Sequence, residues 1–141
     1  MAYDHGLGRL LGERFLCLTH VGRRSGRRYR TVLEVIGRRG SEYFVIAGMG
    51  PSSDWYRNIR ANPPVEVIVG RRGFEAACRW PDETESAAVV AEYERRNAMV
   101  TPVLRLVLSR LLGWRYDGSP LARRRLVTQL PVVALRPSDC S

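Results

Sequence analysis

Apolar and polar residues alternate along much of the first half of the chain, and that alternation predicts strands. Residues 14–21 (RFLCLTHV) are dominated by Phe, Leu, Thr and Val, types that fit a pleated, half-buried surface. The GRRSG that follows at 22–26 ends the run with its glycines. In residues 29–36, Tyr29, Thr31, Leu33 and Val35 share one face, which predicts a second strand. GRRGS at 37–41 reads as a turn and residues 42–47 (EYFVIA) as a third strand. Short glycine turns between such runs predict an antiparallel meander.

The pattern then changes period. Ser52 or Ser53 can cap a short helix, with Asp54 in its first turn and Asn62-Pro63-Pro64 as its stop. Residues 65–69 (VEVIV), a turn at 70–73 and residues 74–80 (FEAACRW) predict a hairpin. Pro81-Asp82 opens a helix to about residue 96, acidic at its start and basic at its end. Pro102 starts a second, strongly apolar helix (VLRLVLSRLL), the loop 113–119 follows, and a third helix surrounds ARRRLV. Residues 131–137 (PVVALRP) predict the last strand, and residues 2–12 a short leading helix. Six mostly antiparallel strands with a helix after the third and helices near the C-terminus describe an α+β barrel, one domain over residues 1–141.

Composition agrees with a globular chain: 45% hydrophobic, 26% charged. No apolar run approaches the roughly 18–20 residues that span a bilayer, and residues 1–15 lack a secretory layout; a cytoplasmic location is expected. Cys17, Cys78 and Cys140 are far apart and the only histidines are His5 and His20, which argues against a zinc site or a disulfide framework. Cys17 sits in FLCLT and reads as a small buried hydrophobe. All 23 basic residues are arginine and the net charge is +9. Such a balance draws anions: a phosphorylated cofactor, nucleic acid or an acidic membrane face.

Three segments are candidates for chemistry. Arg23, Arg24, Arg27, Arg28 and Arg30 cluster around a glycine turn. Guanidinium forks and turn N–H groups together suit phosphate or carboxylate oxygens, although a solvated hairpin tip in an arginine-biased chain has the same look. In the second segment, Ala47, Gly48, Met49 and Gly50 form a small-residue loop before the helix of Trp55, Tyr56, Asn58 and Arg60. A helix start favours an anionic or carbonyl-bearing ligand, and small residues admit a flat ring. Trp55 and Ile59 read as the buried stripe, whereas Asn58 is a poor helix former with bonds to satisfy. In the third, Val103, Leu104, Val107, Leu108, Leu111 and Leu112 cover a wide helix face. Core packing is its simplest reading; a lipophilic substrate channel or a membrane-surface contact is the alternative.

The sequence contains no GxGxxG after a strand, no GxSxG, no Walker A motif and no HExxH. Neither His5 nor His20 has the setting of a hydrolase triad. Aromatics are not interleaved with the arginines as single-strand nucleic-acid platforms require, so nucleic acid is not the expected partner. Hydride chemistry tolerates this shortage of side-chain catalysts, because a cofactor performs the difficult step.

TxxGRRSG at 19–26, the RT pair at 30–31 and GxxSDWYRNIRANP at 50–63 followed by VEVIVG occur in an order that resembles the deazaflavin-dependent nitroreductase family. The resemblance covers residues 13 to 80 and resumes in YDGSPLARRRLVTQLPVVALRP, similar to actinobacterial members. It implies a split β-barrel, as in FMN-binding proteins, and the cofactor coenzyme F420, with FMN as the second choice. It implies that Arg23, Arg24 and Arg30 hold the phosphate and acidic tail, with help from Ser25. By the same resemblance Ala47, Gly48 and Met49 lie beside the deazaflavin ring, and Trp55 and Asn58 close that wall. Tyr116 is the expected proton donor or positioning group for a lipophilic, electron-poor acceptor: a quinone, an enone or a nitro compound. A homodimer and a peripheral membrane contact are further expectations. Gly48 and Met49 replace the family's ring-side serine and lysine, and Val32 stands where a proline is frequent.

Overall fold

A computed structural model describes residues 14–48 and 50–138. The expected helix over 2–12, and with it His5, Met49 and Cys140, lies outside the described residues. Six strands, β1 (Phe15–Val21), β2 (Arg28–Arg39), β3 (Glu42–Ile46), β4 (Glu66–Val69), β5 (Arg72–Arg79) and β6 (Val132–Pro137), close into one barrel. Their order around it is β1-β2-β3-β6-β5-β4, every neighbouring pair antiparallel, with β4 returning to β1. Among the described residues four helices accompany them: α1 (Asp54–Ala61), α2 (Glu83–Arg96), α3 (Thr101–Leu112) and α4 (Pro120–Gln129), with a 3₁₀ turn at Ala98–Val100.

The side-chain period of two builds two cores from the same strands. Leu16, Leu18, Tyr43, Val45, Val67, Val69, Val133 and Leu135 fill the barrel interior, joined by Trp55, Tyr56 and Ile59 of α1. Their sequence neighbours Phe44, Val132 and Ala134 point outward and pack under α2 and α4 against Val89, Val90, Leu126 and Val127. A slip of one residue in any of these strands would exchange the two cores, so the register is strongly specified.

The strand readings hold, with two displaced boundaries. β2 continues through Gly37 to Arg39 instead of turning at 37–41. A bulge between Val35 and Gly37 lets it go on. A Cβ at Gly37 would stand 3.1 Å from Val89 Cγ1, so glycine there admits close approach by α2, and only Gly40, at φ 61°, makes the turn. β5 begins at Arg72, two residues earlier than expected, because a tight turn at Gly70-Arg71 suffices. Asp82 caps α2 by accepting a bond from the Glu85 N–H at 2.8 Å, worth about 1 kcal/mol. Gly113, in the left-handed conformation at φ 81°, ends α3.

The reading of α3 as core holds only toward its end: Leu112 is buried and Leu108 packs against the helical core, while Val103, Val107 and Leu111 are 64%, 48% and 48% exposed. The barrel and the other helices already cover each other's apolar faces, so among the described residues most of α3's stripe has nothing to pack on. Among the described residues no helix is long and apolar enough to cross a membrane.

The helical layer is also tied by charge. Arg79 of β5 bonds both oxygens of Glu42 at 2.8 and 2.9 Å and both oxygens of Glu85 at 2.7 and 2.8 Å. Its hydrogen bonds hold both carboxyls below the usual carboxylate range.

Candidate functional site

At one end of the barrel, β1 runs into the turn that leads to β2. The Gly22 N–H donates to the Arg27 carbonyl at 2.8 Å and Gly26, at φ 73°, reverses the chain. Gly22 lets the turn close tightly: a Cβ would lie 2.7 Å from Ser25 Oγ and 2.8 Å from the Tyr29 ring, and both side chains would have to shift to admit it. Beside this turn the loop after β3 feeds α1. Ser53 occupies the cap position, but its hydroxyl bonds back to the Gly50 carbonyl at 2.6 Å and makes no cap bond. The expected serine cap thus serves the loop.

Between turn and loop lies a pocket of about 870 Å³, in the range of small-molecule sites. Arg23, Arg24, Ser25, Arg30, Gly48, Trp55 and Asn58 all line it, together with His20, Tyr29, Thr31, Leu33 and Leu111. Three expected residues stand differently. Ala47 is fully buried in the barrel core and does not line the pocket, because its N–H completes the sheet edge on the Pro131 carbonyl. Met49 lies outside the described residues. Tyr116 is 2% exposed, and its hydroxyl donates to Glu94 in a layer that also holds Arg123 Nη2, 3.1 Å from Glu94. Burial, then the Glu94 carboxylate, pushes the Tyr116 hydroxyl well above its ordinary value. It is a packed, committed group and no proton donor to this pocket. Trp114, in the same loop, donates to Gln129 at 2.9 Å and is covered by Arg125 at 4.1 Å.

Asn58 explains its own presence on α1. Its Oδ1 accepts from the Arg23 backbone N–H at 3.1 Å and from Arg23 Nη1 at 2.8 Å. Its Nδ2 lies 3.0 Å from Nδ1 of His20. Asn58 therefore pins the arginine turn to the helix, and buried amides are kept for such bonding. Arg23 also reaches Asp54 at 3.5 Å. The guanidinium expected to be a free phosphate hook is thus already engaged in part, whereas Arg24 and Arg30 are exposed and have no side-chain partner among the described residues. Ser25 likewise works locally: its Oγ accepts from the Arg27 N–H at 3.2 Å and meets Tyr29 Oη at 3.3 Å.

His20 and Thr31 are the residues that sequence reasoning passed over. His20 follows Leu16 and Leu18 on the inward face of β1 and is 3% exposed. Its Nε2 lies 2.9 Å from Thr31 Oγ1, and its ring stacks on Tyr29 with centroids 5.9 Å apart. Burial lowers its pKa against a smaller opposing pull from Asp54, so the neutral ring is favoured. The available signal was a polar residue on the buried face of one strand and an asparagine inside a helix, each needing a partner.

The floor of the pocket is open at Gly48. Its φ is not in the left-handed region, and a Cβ built there meets nothing within 4 Å. Backbone geometry does not demand glycine at this point; its effect is to leave room for a ligand. Free guanidinium groups at one side and a bare backbone floor at the other fit a flat ring that carries an anionic tail. Among the described residues no cluster of His, Cys, Asp or Glu could hold a metal ion.

Similar folds are found among solved structures. An F420-H2 dependent reductase aligns with TM-score 0.50 at 20% identity, over 89% of this chain and 96% of that one. The heme storage protein HutZ from Vibrio cholerae aligns with TM-score 0.55 at 15% identity, over 99% and 92%. A pyridoxamine 5'-phosphate oxidase-related, FMN binding protein from Nostoc punctiforme aligns with TM-score 0.54 at 19% identity, over 94% and 76%. These likenesses establish the split-barrel fold. No curated protein sequence matches the chain. At the family level, residues 3–102 match the F420H(2)-dependent quinone reductases, and the chain belongs to that family of F420-dependent reductases.

Proposed function

We propose that this protein binds reduced coenzyme F420 in the pocket between the β1–β2 turn and α1 and passes its hydride to an electron-poor, lipophilic acceptor of the quinone, enone or nitro class. The observation that carries the reading is the pocket itself, in which Arg24 and Arg30, without a side-chain partner among the described residues, face a glycine floor in a chain of this family. The hydride is the bound cofactor's contribution. The protein's share is positional. Arg24 and Arg30 hold the phosphate and acidic tail, Arg23 fixes the turn that carries them, and Gly48 and Trp55 form the wall against the ring. Leu33 and the exposed face of α3, which reaches the pocket at Leu111, offer the apolar side on which the acceptor rests. With Tyr116 committed elsewhere, solvent provides the proton that the reduced acceptor takes up.

Single-turnover mixing of the protein with reduced F420 and a lipophilic quinone, an enone or a nitroaromatic tests this directly. Return of the oxidised cofactor's absorbance with at least one acceptor, and none with reduced FMN in its place, is the expected result. Turnover with FMN alone, or no oxidation of F420 by any acceptor class, overturns it. A matching fold described as a domain-swapped dimer (TM-score 0.50, 22% identity, covering 89% of this chain and 81% of that one) supports a homodimer as a further part of the proposal.

A further inference from the structure

The hydrogen bonds behind the pocket run in one direction only, and that direction ends at Thr31. Asn58 Oδ1 faces two donors of Arg23, the backbone N–H at 3.1 Å and Nη1 at 2.8 Å. An arginine offers donors and no acceptor, so the amide oxygen must stay on that side. The amide nitrogen then points to His20 Nδ1, 3.0 Å away, and donates to it. A neutral imidazole that accepts at Nδ1 carries its proton at Nε2. Nε2 lies 2.9 Å from Thr31 Oγ1 and therefore donates there. The Thr31 hydroxyl accepts in that bond and keeps its own proton to donate elsewhere. Thr31 is half-buried, lines the pocket, and has no other side-chain partner among the described residues.

We infer that Thr31 is a ligand-contacting donor, whose hydroxyl proton is aimed into the pocket by the chain Arg23–Asn58–His20, and that it takes an acceptor oxygen of the bound cofactor. The partner is a ring or side-chain oxygen of the deazaflavin, or a phosphoryl oxygen of its tail. His20 acts through Thr31 and is a positioning residue: its stack on Tyr29 and its two bonds fix the ring. The contact rests on the proposed function for the identity of its ligand, while the direction of the bonds belongs to the protein alone.

Three measurements decide it. Nitrogen-15 NMR of the ligand-free protein at neutral pH should show His20 neutral and protonated at Nε2; protonation at Nδ1 reverses the chain and overturns the inference, whether or not any variant folds. Equilibrium affinities for F420 should weaken about five- to tenfold in Thr31→Val, the effect of one lost hydrogen bond, and stay near wild type in Thr31→Ser. His20→Phe should weaken binding in the same sense, and adding it to Thr31→Val should have little further effect. Affinities for the deazaflavin fragment without phosphate or tail locate the acceptor: the same loss with the fragment assigns the ring or its side chain, and a loss seen only with F420 assigns the phosphate. Thr31→Val binding F420 as wild type does overturns the contact alone. A wild-type chain that ignores F420 overturns the contact and the proposed function together.

Discussion

The turn end of the barrel and the helical layer on its flank are built from the same residue types and use them in opposite ways. In the helical layer charges are matched: Glu94 takes the Tyr116 hydroxyl and Arg123, and Arg79 is shared by Glu42 and Glu85. At the turn end Arg24 and Arg30 stand exposed around open space with no side-chain partner among the described residues, and Asp54, the acid that lines the pocket, reaches Arg23. Matched, buried charge locks elements together but leaves nothing for a ligand. Unmatched charge beside a bare floor gives the fold little and leaves a ligand much to gain. Arginine content alone does not distinguish the two regions; the placement of the acids does.

The comparison breaks hardest in the helical layer. Glu94→Ala strands Arg123 beside a buried tyrosine hydroxyl, and loss of one partner from a buried ion pair costs about 3–5 kcal/mol. Thermal unfolding should show that loss, while F420 affinity measured well below the transition stays near wild type. A Glu94 variant that loses affinity and keeps its stability would merge the two regions. The reciprocal change, Arg24→Ala with Arg30→Ala, should weaken F420 binding at least about 100-fold, since each of the two charge-assisted bonds is worth about 1.5–3 kcal/mol, and should leave the melting temperature within the small range of surface substitutions.

Smaller effects sharpen the boundary. Gly48→Val places a branched side chain where a Cβ meets no atom, so the fold should tolerate it while F420 affinity falls about tenfold; isothermal titration reads both affinity and stoichiometry. Leu111→Glu should slow reduction of a lipophilic acceptor and spare cofactor affinity, as separate titration and turnover assays would show. The weakest effect is one of pH. Burial lowers the His20 pKa in the folded state, so the unfolded chain takes up that proton first. The resulting stability is complete above the ordinary histidine value of 6.5 and is lost as pH falls below it toward the lowered one. Denaturant titrations across this range should decline in the wild type and flatten in His20→Phe. A separate decline begins near the ordinary carboxylate value of 4.5, where Glu42 and Glu85, lowered by Arg79, begin to lose stabilising charge; it should survive in that variant.

How much of this was legible follows from the range of the interactions. Strands showed through a period of two, and the cap at Asp82 and the stop at Asn62 through local chemistry, because such signals span a few residues. The continuation of β2 through Gly37 was hidden because its reason is Val89, on a helix far along the chain. The exposed stripe of α3 was hidden for a related cause: periodicity reports an apolar face and not whether another element arrives to cover it. In the site, the arginine turn, Gly48, Trp55 and Asn58 were visible as motif. His20 and Thr31 were not, since their meaning lies in a chain of bonds from Arg23 through Asn58 that only the fold assembles. Tyr116 misled because an aromatic hydroxyl in a loop looks available until Glu94 is seen beneath it.

The central claim is that the exposed arginines Arg24 and Arg30 of the turn bind the anionic cofactor, and a salt-dependent F420 titration of the wild type and the Arg24→Ala, Arg30→Ala variant tests it most directly. Micromolar or tighter binding by the wild type that weakens with added salt, and at least about 100-fold weaker binding by the variant, is the predicted result. Equal affinity of the two proteins, or no wild-type binding even at low salt, would contradict it.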